Sequence, residues 1–557
     1  MTNKTSGNQN RKRDSIARQA GALVIAGFVS KVIGLLYRSP LHGIIGTLGM
    51  GYYSSAYNFY YIVLLISSYS IPGAISKVIA QKLAVKEYRN AHRIFLCSLA
   101  YVLVVGGVAS LFLFFGAGLL VDQETVPVLR TFAPTIFVYG MLGVLRGYFQ
   151  AHRSMTQTSL SQILEQIANA VVSVGAAYLL IKHMLGTVEI PTDEAALVQH
   201  ATYGAMGSAM GTGAGVLVAL IFMTGVYALN RGMIHKRIER DRHKTVDSYP
   251  EILKMITLVV TPFILNTAVY NLKGTINNLV YTKWFPNLMG ADSVTIHTNW
   301  GAFSNAQTIA DIPLALATAI GTSIIPAMAQ MVAAGNREGV KHKIDAVIRS
   351  TMILSIPCAV GIFVLGKPLT GLLFPSTSQE HLIMAGKILM ALALSIVFCE
   401  LSTLNSNVLQ GIGKVNTPMI NSAVALVIQT ILAVVLIFFG KLDVYGIAIA
   451  NTFYFMIVSM LNQLAVRRTL GYRQELKRTF LIPVLASLVM GAAAWAVYEG
   501  VYLITKSMRI SVIPAVLFAM LVYFVVLLLM RGITEEEMRG FPKGHVLVKA
   551  AKKCHLM

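Results

Sequence analysis

Acidic residues are scarce in this chain: 24 Asp and Glu stand against 46 Lys and Arg in 557 residues, and charged residues of both signs make up only 13%. A soluble domain of this length needs more charge than that on its surface, so the shortage excludes the ordinary globular classes. Cysteine is rarer still, at four. Cys97, Cys358 and Cys399 lie in or beside apolar runs and Cys554 in a basic tail, with no close pair to build a disulfide framework, a redox motif or a metal site. The twelve histidines show no metal-ligand spacing, and no nucleophile stands beside a base. Neither an enzyme nor a metal site is expected. "GAMGSAMGTGAG" contains Gly-x-Gly, yet no Gly-Lys-Ser/Thr follows, so it does not read as a nucleotide loop.

Apolar residues are what the chain has instead, 55% of the total with a mean hydropathy of +0.65. Fourteen runs of about 20 residues, the length that crosses a bilayer, can be counted from residue 17 to residue 530. The polar, basic start "MTNKTSGNQNRKRDSIARQ" does not read as a cleavable signal, and the run behind it is expected to stay as an anchor. A net charge of +22 could suggest nucleic acid, but the Lys and Arg sit in alternate loops such as "QKLAVKEYRNAHR", "NRGMIHKRIERDRHK" and "VRRTLGYRQELKR", as the positive-inside rule requires. That alternation places both termini in the cytoplasm and asks for an even number of spans. No nucleic-acid partner is expected; the bilayer itself is.

Two ungapped matches suggest an internal repeat. The stretch from Phe149 aligns with that from Leu409, pairing Gln150 with Gln410 and Asn169 with Gln429, and the stretch from Ile75 aligns with that from Ser323. Six spans per repeat is an even number, as in transporter folds whose halves are related by an axis along the membrane normal. The expected architecture is an all-α polytopic membrane protein of 14 transmembrane helices: an N-lobe at 1–230, a C-lobe at 231–470, two extra helices at 471–531 and a basic cytoplasmic tail at 532–557.

Charges inside spans are costly and are usually tied to function. The cationic members are Lys31, Arg38, Lys77, Arg146 and Lys273; the anionic ones are Glu165, Asp311 and Glu400. Lys77, Arg146 and Arg38 lie near span ends and could instead snorkel to the interface. Five positives against three negatives leave a surplus for an anionic substrate such as a phosphate group. Asn266, Tyr270, Lys273 and Asn277 fall on one helical face, which reads as lining a cavity or the facing lobe. The same polar residues can also serve only to join helices. Gly204, Gly207, Gly211 and Gly215 form another face, suited to close packing. Tyr52, Tyr53, Tyr57, Tyr60 and Tyr61 read as an interfacial belt.

"RGYFQAHRSMTQTSLSQILEQ", Arg146 to Gln166, resembles the Arg-Gly-Tyr-Phe-Gln, Met-x-Pro-Thr and Ser-Gln-x-x-Glu-Gln signature of the polysaccharide-export branch of the multidrug/oligosaccharidyl-lipid/polysaccharide superfamily. Within that branch the chain is most similar to lipid II flippases of the MurJ/YtgP type and to stage V sporulation protein B. "VSKVIGLLYR" resembles the first helix of those proteins. The resemblance implies a MATE/MurJ-like fold of two six-helix lobes in the bacterial cell membrane. It also implies movement of undecaprenyl-pyrophosphate-linked peptidoglycan precursor, lipid II, from the inner to the outer leaflet by alternating access, for cell-wall synthesis. Lys31 and Arg38 would then meet the pyrophosphate, and cell-wall synthases would be possible partners.

Two departures stand out. Gln157 replaces the signature proline, and "FSNAQTIADIP" lacks an arginine that Gram-negative relatives carry, for which Lys273 could substitute. No cofactor is expected; with no ATP motif, energy would come from membrane potential, product consumption or a coupling ion, sodium or proton. The alternatives are a flippase for another lipid-linked oligosaccharide (capsule, teichoic acid, spore cortex) and an ion-coupled drug antiporter using Asp311, Glu165 or Glu400.

Overall fold

In the computed structural model the chain is helical, with no strand among the described residues. Those residues run from 26 to 533 except for 28, 70, 153, 242–245, 287–289, 334 and 375–376, with isolated positions of the tail beyond. Within 259–270 and 315–334 several side chains, those of Asn266 and Tyr270 among them, lie outside the described set. Two compact units follow one another, residues 1–301 and 302–557.

The first unit begins with a helical segment over 29–36 that leads into α1 (Arg38–Leu64). Gly46, with φ 69° and ψ −180°, breaks α1 in a conformation open in practice only to glycine. The chain turns there, inside the gap between the first two expected spans. A π-helical turn at Leu65–Tyr69 joins α1 to α2 (Ile71–Ala84). Then come α3 (Tyr88–Leu120), α4 (Val126–Ala151), α5 (Met155–Leu185) and α6 (Glu194–Glu239). The α6 helix is 46 residues long and starts where the Asp193 carboxylate accepts from the Ala196 amide at 3.0 Å. Ser248 and Glu251 close a capping box at the start of α7 (Tyr249–Asn278), which runs into a second π-helical turn at Leu279–Trp284. The first turns of α8 (Ser293–Ala333) complete the unit.

Lipid is as apolar as leucine, so helices in a bilayer associate through close fit and polar ties rather than through a hydrophobic drive. The α5–α6 pair shows this. A Cβ on Gly207 or Gly211 would overlap the backbone of Ala177 or Ser173, and one on Gly215 would lie 2.5 Å from the Glu165 carbonyl oxygen. The glycine face expected from the sequence is therefore the groove in which α5 lies. Around it, Tyr52, Tyr60, Phe132, Leu129 and Ile136 form one buried cluster and Ile79, Phe95, Leu142 and Tyr148 another.

The second unit holds α9 (Arg337–Leu373), α10 (Gln379–Gly411), α11 (Asn416–Val434), α12 (Asp443–Leu470), α13 (Ile482–Thr505) and α14 (Met508–Leu529). Asparagines tie the middle of it: Asn421 donates to Asn462 Oδ1 at 2.8 Å, and Asn462 donates to Ser406 Oγ at 2.9 Å, linking α11, α12 and α10. The α13–α14 hairpin packs on α9, where the Tyr523 hydroxyl donates to the Ile353 carbonyl at 2.7 Å.

Eleven stretches of the described helices are long and apolar enough to cross a membrane, the bent rod from Arg38 to Ala84 counted as one. Fourteen were expected. The first expected span, 17–38, is described only in part, and those at 255–282 and 298–332 fall in α7 and α8, where side chains are missing from the described set.

Candidate functional site

Arg146, on α4, shows how a charge inside a span is kept. Its Nη2 donates to Glu165 Oε2 on α5 at 2.7 Å and its Nε to Ser161 Oγ at 2.9 Å, while Ser161 donates in turn to the Thr158 carbonyl. The two side chains are 6% and 16% exposed. Arg146 does not snorkel, nor does it offer a free charge to a ligand; its partner lies on the next helix of the same unit.

Lys31 is placed differently. The segment that carries it lies along α5, with Ser30 Oγ donating to the Gln162 carbonyl at 3.4 Å and Gly34 close to the Gln166 side chain. Lys31 itself is exposed, and no carboxylate pairs with it among the described residues. Arg38 is half-buried at the start of α1. Lys77 is exposed at the middle of α2.

The tyrosines of α1 do not form a belt. Tyr53, Tyr57 and Tyr61 stack along one face, with centroids 5.9 and 5.7 Å apart and planes within 18° and 12° of parallel. Phe132 of α4, fully buried, backs them, lying 5.9 Å from Tyr57 and 4.7 Å from Tyr60. An interfacial belt would face headgroups; these rings turn into the unit.

The comparisons with known proteins bear on this arrangement. The sequence model of the family described as lipid II flippase MurJ matches residues 93–517. The chain belongs to that family. It is 25% identical over 498 residues to the lipid II flippase MurJ of Bacillus subtilis (strain 168), covering 86% of this chain and 87% of the relative. With stage V sporulation protein B of the same organism it shares 22% identity over 529 residues, 93% and 96% of the two chains. A solved structure of lipid II flippase MurJ in an inward closed conformation superposes with a TM-score of 0.62 at 16% identity, over 90% of this chain and 97% of that one. The fold is MurJ-like, and the protein is a multi-pass membrane transporter rather than an enzyme.

In this MurJ-family chain α7 meets α1 through Thr275 and Asn278, residues outside the expected stripe of Asn266, Tyr270, Lys273 and Asn277. Asn277 is buried and Lys273 half-buried, and between and beside them Thr275 donates to the Asn58 carbonyl at 3.1 Å and Asn278 to Ser55 Oγ at 3.0 Å. Ser55 continues to His297 Nδ1 at 3.5 Å, and His297 Nε2 reaches Asp122 Oδ2 at 3.0 Å. This buried chain of Asn278, Ser55, His297 and Asp122 was not legible in the sequence. Its members lie as many as 242 positions apart, and each alone is an ordinary polar residue. Beside it the backbones of α1 and α8 touch: a Cβ on Gly51 would overlap the His297 carbonyl, and one on Gly301 the Thr47 carbonyl.

In the second unit the structure places the remaining two carboxylates apart in character. Asp311 is exposed on α8 and accepts from Gln307 Nε2 at 2.8 Å. Glu400 is 1% exposed within α10, and its Oε2 has no hydrogen-bond partner among the described residues. Asn266 and Tyr270 lie on α7, with side chains outside the described set.

Proposed function

We propose that the protein moves a polyprenyl-pyrophosphate-linked peptidoglycan precursor, lipid II, from the inner to the outer leaflet of the bacterial cell membrane by alternating access. Membership of the MurJ family supports a lipid-linked substrate. One contrast within the first unit carries the reading further. The charge of Arg146 is cancelled in place by Glu165, whereas Lys31, exposed on the segment that lies along α5, has no described carboxylate paired with it. A cation kept exposed on an apolar helix at that cost has a use for an anion, and a pyrophosphate supplies one. Arg38, seven residues on, extends the same positive side.

An inside-negative potential favours outward passage of such a substrate by about 2.3 kcal/mol per charge per 100 mV if the charge crosses the whole field. With no nucleotide motif in the sequence, the potential is one drive open to this reading, beside product consumption and a coupling ion.

The test is native mass spectrometry of the purified protein with lipid II, undecaprenyl phosphate and a cationic drug in competition, on the wild type and on Lys31→Ala. Selective retention of lipid II, reduced about tenfold in Lys31→Ala, is the expected result, an effect of about 1.4 kcal/mol. Equal retention of all three ligands, or an unchanged Lys31→Ala variant, would return the lysine to a structural role.

A further inference from the structure

On the side of the basic loops, four helix ends of the first unit enclose a cleft that the flippase reading does not use. The end of α2, the first turns of α3, the end of α4 and the last two turns of α6 line it, around a volume of about 260 Å³ partly open to solvent. Pockets for drug-sized ligands start at roughly 300 Å³, so the scale here is that of one polar group. The polar lining consists of Tyr88 and His92 of α3, Tyr148 and His152 at the end of α4, and Arg237 of α6. The remainder is aliphatic, and no Asp or Glu among the described residues lines the cleft.

The carboxylates nearby are engaged elsewhere. Glu87 and Asp247 both pair with Lys82, at 2.9 and 2.6 Å; Asp241 accepts from the Arg89 amide at 2.8 Å; Glu239 lies 3.3 Å from His235. Arg237, exposed at the cleft, takes part in none of these pairs. His92 adds an unmet group, because its Nδ1 is buried and has no hydrogen-bond partner among the described residues. A buried polar atom left in that state is costly. The ring of His152 is held in place, its Nδ1 donating to the Tyr148 carbonyl at 2.9 Å.

The depth of the cleft narrows the choice of ligand. The apolar run of α6 ends near Leu229, and Arg231, Lys236, Arg237 and Arg240 follow it. The cleft, lined by the turns that carry those charges, therefore falls at the level of the headgroups, on the side to which the basic loops are assigned. Basic pockets between helix ends at that level suit phosphate headgroups.

We propose that this cleft is a phosphate site, in which the Arg237 guanidinium and the His92 imidazole hold the oxygens of a phosphate group supplied by an anionic lipid headgroup or by free phosphate. Arginine brings a fixed charge and a planar fork of N–H donors that matches phosphate oxygens. A neutral imidazole brings one N–H, and the phenols of Tyr88 and Tyr148 add hydroxyl donors. A group held in this way bridges α3 and α6. The site is independent of the flippase reading, since neither Lys31 nor Arg38 belongs to it.

The experiment uses the full-length, delipidated protein in detergent, as wild type, Arg237→Gln, Lys236→Gln and His92→Phe. Native mass spectrometry compares retention of phosphatidylglycerol with that of diglucosyldiacylglycerol, which has the same tails and no phosphate. Thermal unfolding compares inorganic phosphate with chloride at equal ionic strength. Arg237→Gln is expected to lose about tenfold in affinity for the phosphate probe that the wild type holds, the size of one charge-assisted contact. His92→Phe, which keeps a ring against Phe95, should lose about threefold. Lys236→Gln, exposed on the same turn but outside the cleft lining, should stay within about twofold.

Preference for phosphatidylglycerol over the glycolipid, lost in Arg237→Gln, supports the site with a lipid headgroup in it. A midpoint raised by inorganic phosphate in an Arg237-dependent way, with both lipids retained alike, supports it with free phosphate. Equal losses in Arg237→Gln and Lys236→Gln would mean a diffuse basic surface and overturn the proposal. So would an unchanged Arg237→Gln, or a wild type that responds to neither probe.

Discussion

Arg146 and Glu165 illustrate what a single charge inside a membrane helix requires. Each is tolerable because the other is 2.7 Å away, and removing one leaves the other stranded in a poorly solvated place. Arg146→Ala is therefore expected to lower stability by about 3 kcal/mol, read as a fall in the thermal unfolding midpoint in detergent. The paired replacement Arg146→Met with Glu165→Leu should recover most of that loss. If the single and double variants unfold alike, the pair does not hold the helices together. Lys31→Ala, by contrast, should leave the midpoint unchanged, because its charge is exposed. The sequence shows that these residues are charged and lie in spans. It does not show which of them are partners, because 19 positions and a change of helix separate Arg146 from Glu165.

At the scale of the helix, periodicity is the readable signal. Gly204, Gly207, Gly211 and Gly215 recur every three or four residues, and the structure uses the last three to seat α5 against α6, while Gly204 lies first against Ile45 of α1. Gly211→Val should prevent the two backbones from meeting and cost at least about 3 kcal/mol, the upper end of ordinary overpacking. Gly225→Val on the same helix, where a Cβ meets nothing within 4 Å, should be tolerated. Equal expression and thermal stability for the two variants would refute the packing role.

The tyrosines of α1 were the harder case. Aromatic residues grouped near a span end have the composition of an interfacial belt, and the slipped stack against Phe132 becomes visible only when α4 is placed beside α1. Likewise, α7 was legible as a helix with a polar stripe, but the residues that bond α1, Thr275 and Asn278, lie off that stripe and were found only when the two helices were placed side by side.

For the whole molecule, hydropathy and the distribution of basic residues carry most of the information, since a bilayer leaves few alternatives to bundled helices. The helical architecture and the membrane setting follow from those alone. The turn at Gly46 does not, because nothing nearby marks that glycine out among the 45 in the chain.

The basic loops also fix a prediction about sidedness. In a cysteine-free background, cysteines introduced at Asp193 or Lys441 should react with a membrane-impermeant thiol reagent added to intact cells. One introduced at Arg240 should react only after the membrane is opened. Labelling of Arg240→Cys in intact cells would invert the topology, and with it the direction of transport.

The crossing of α1 and α8 at Gly51 and Gly301 has a kinetic consequence. Helices that mesh through side chains must unmesh before they part, each rotamer change adding to the barrier. At Gly51 and Gly301 the contact is backbone against backbone, where weak Cα–H to carbonyl contacts can be exchanged one at a time. Beside it the His297 side chain packs on Tyr52 and is caught between Asp122 and Ser55. Parting the helices at this point asks one imidazole to leave its ring neighbour and both hydrogen-bond partners.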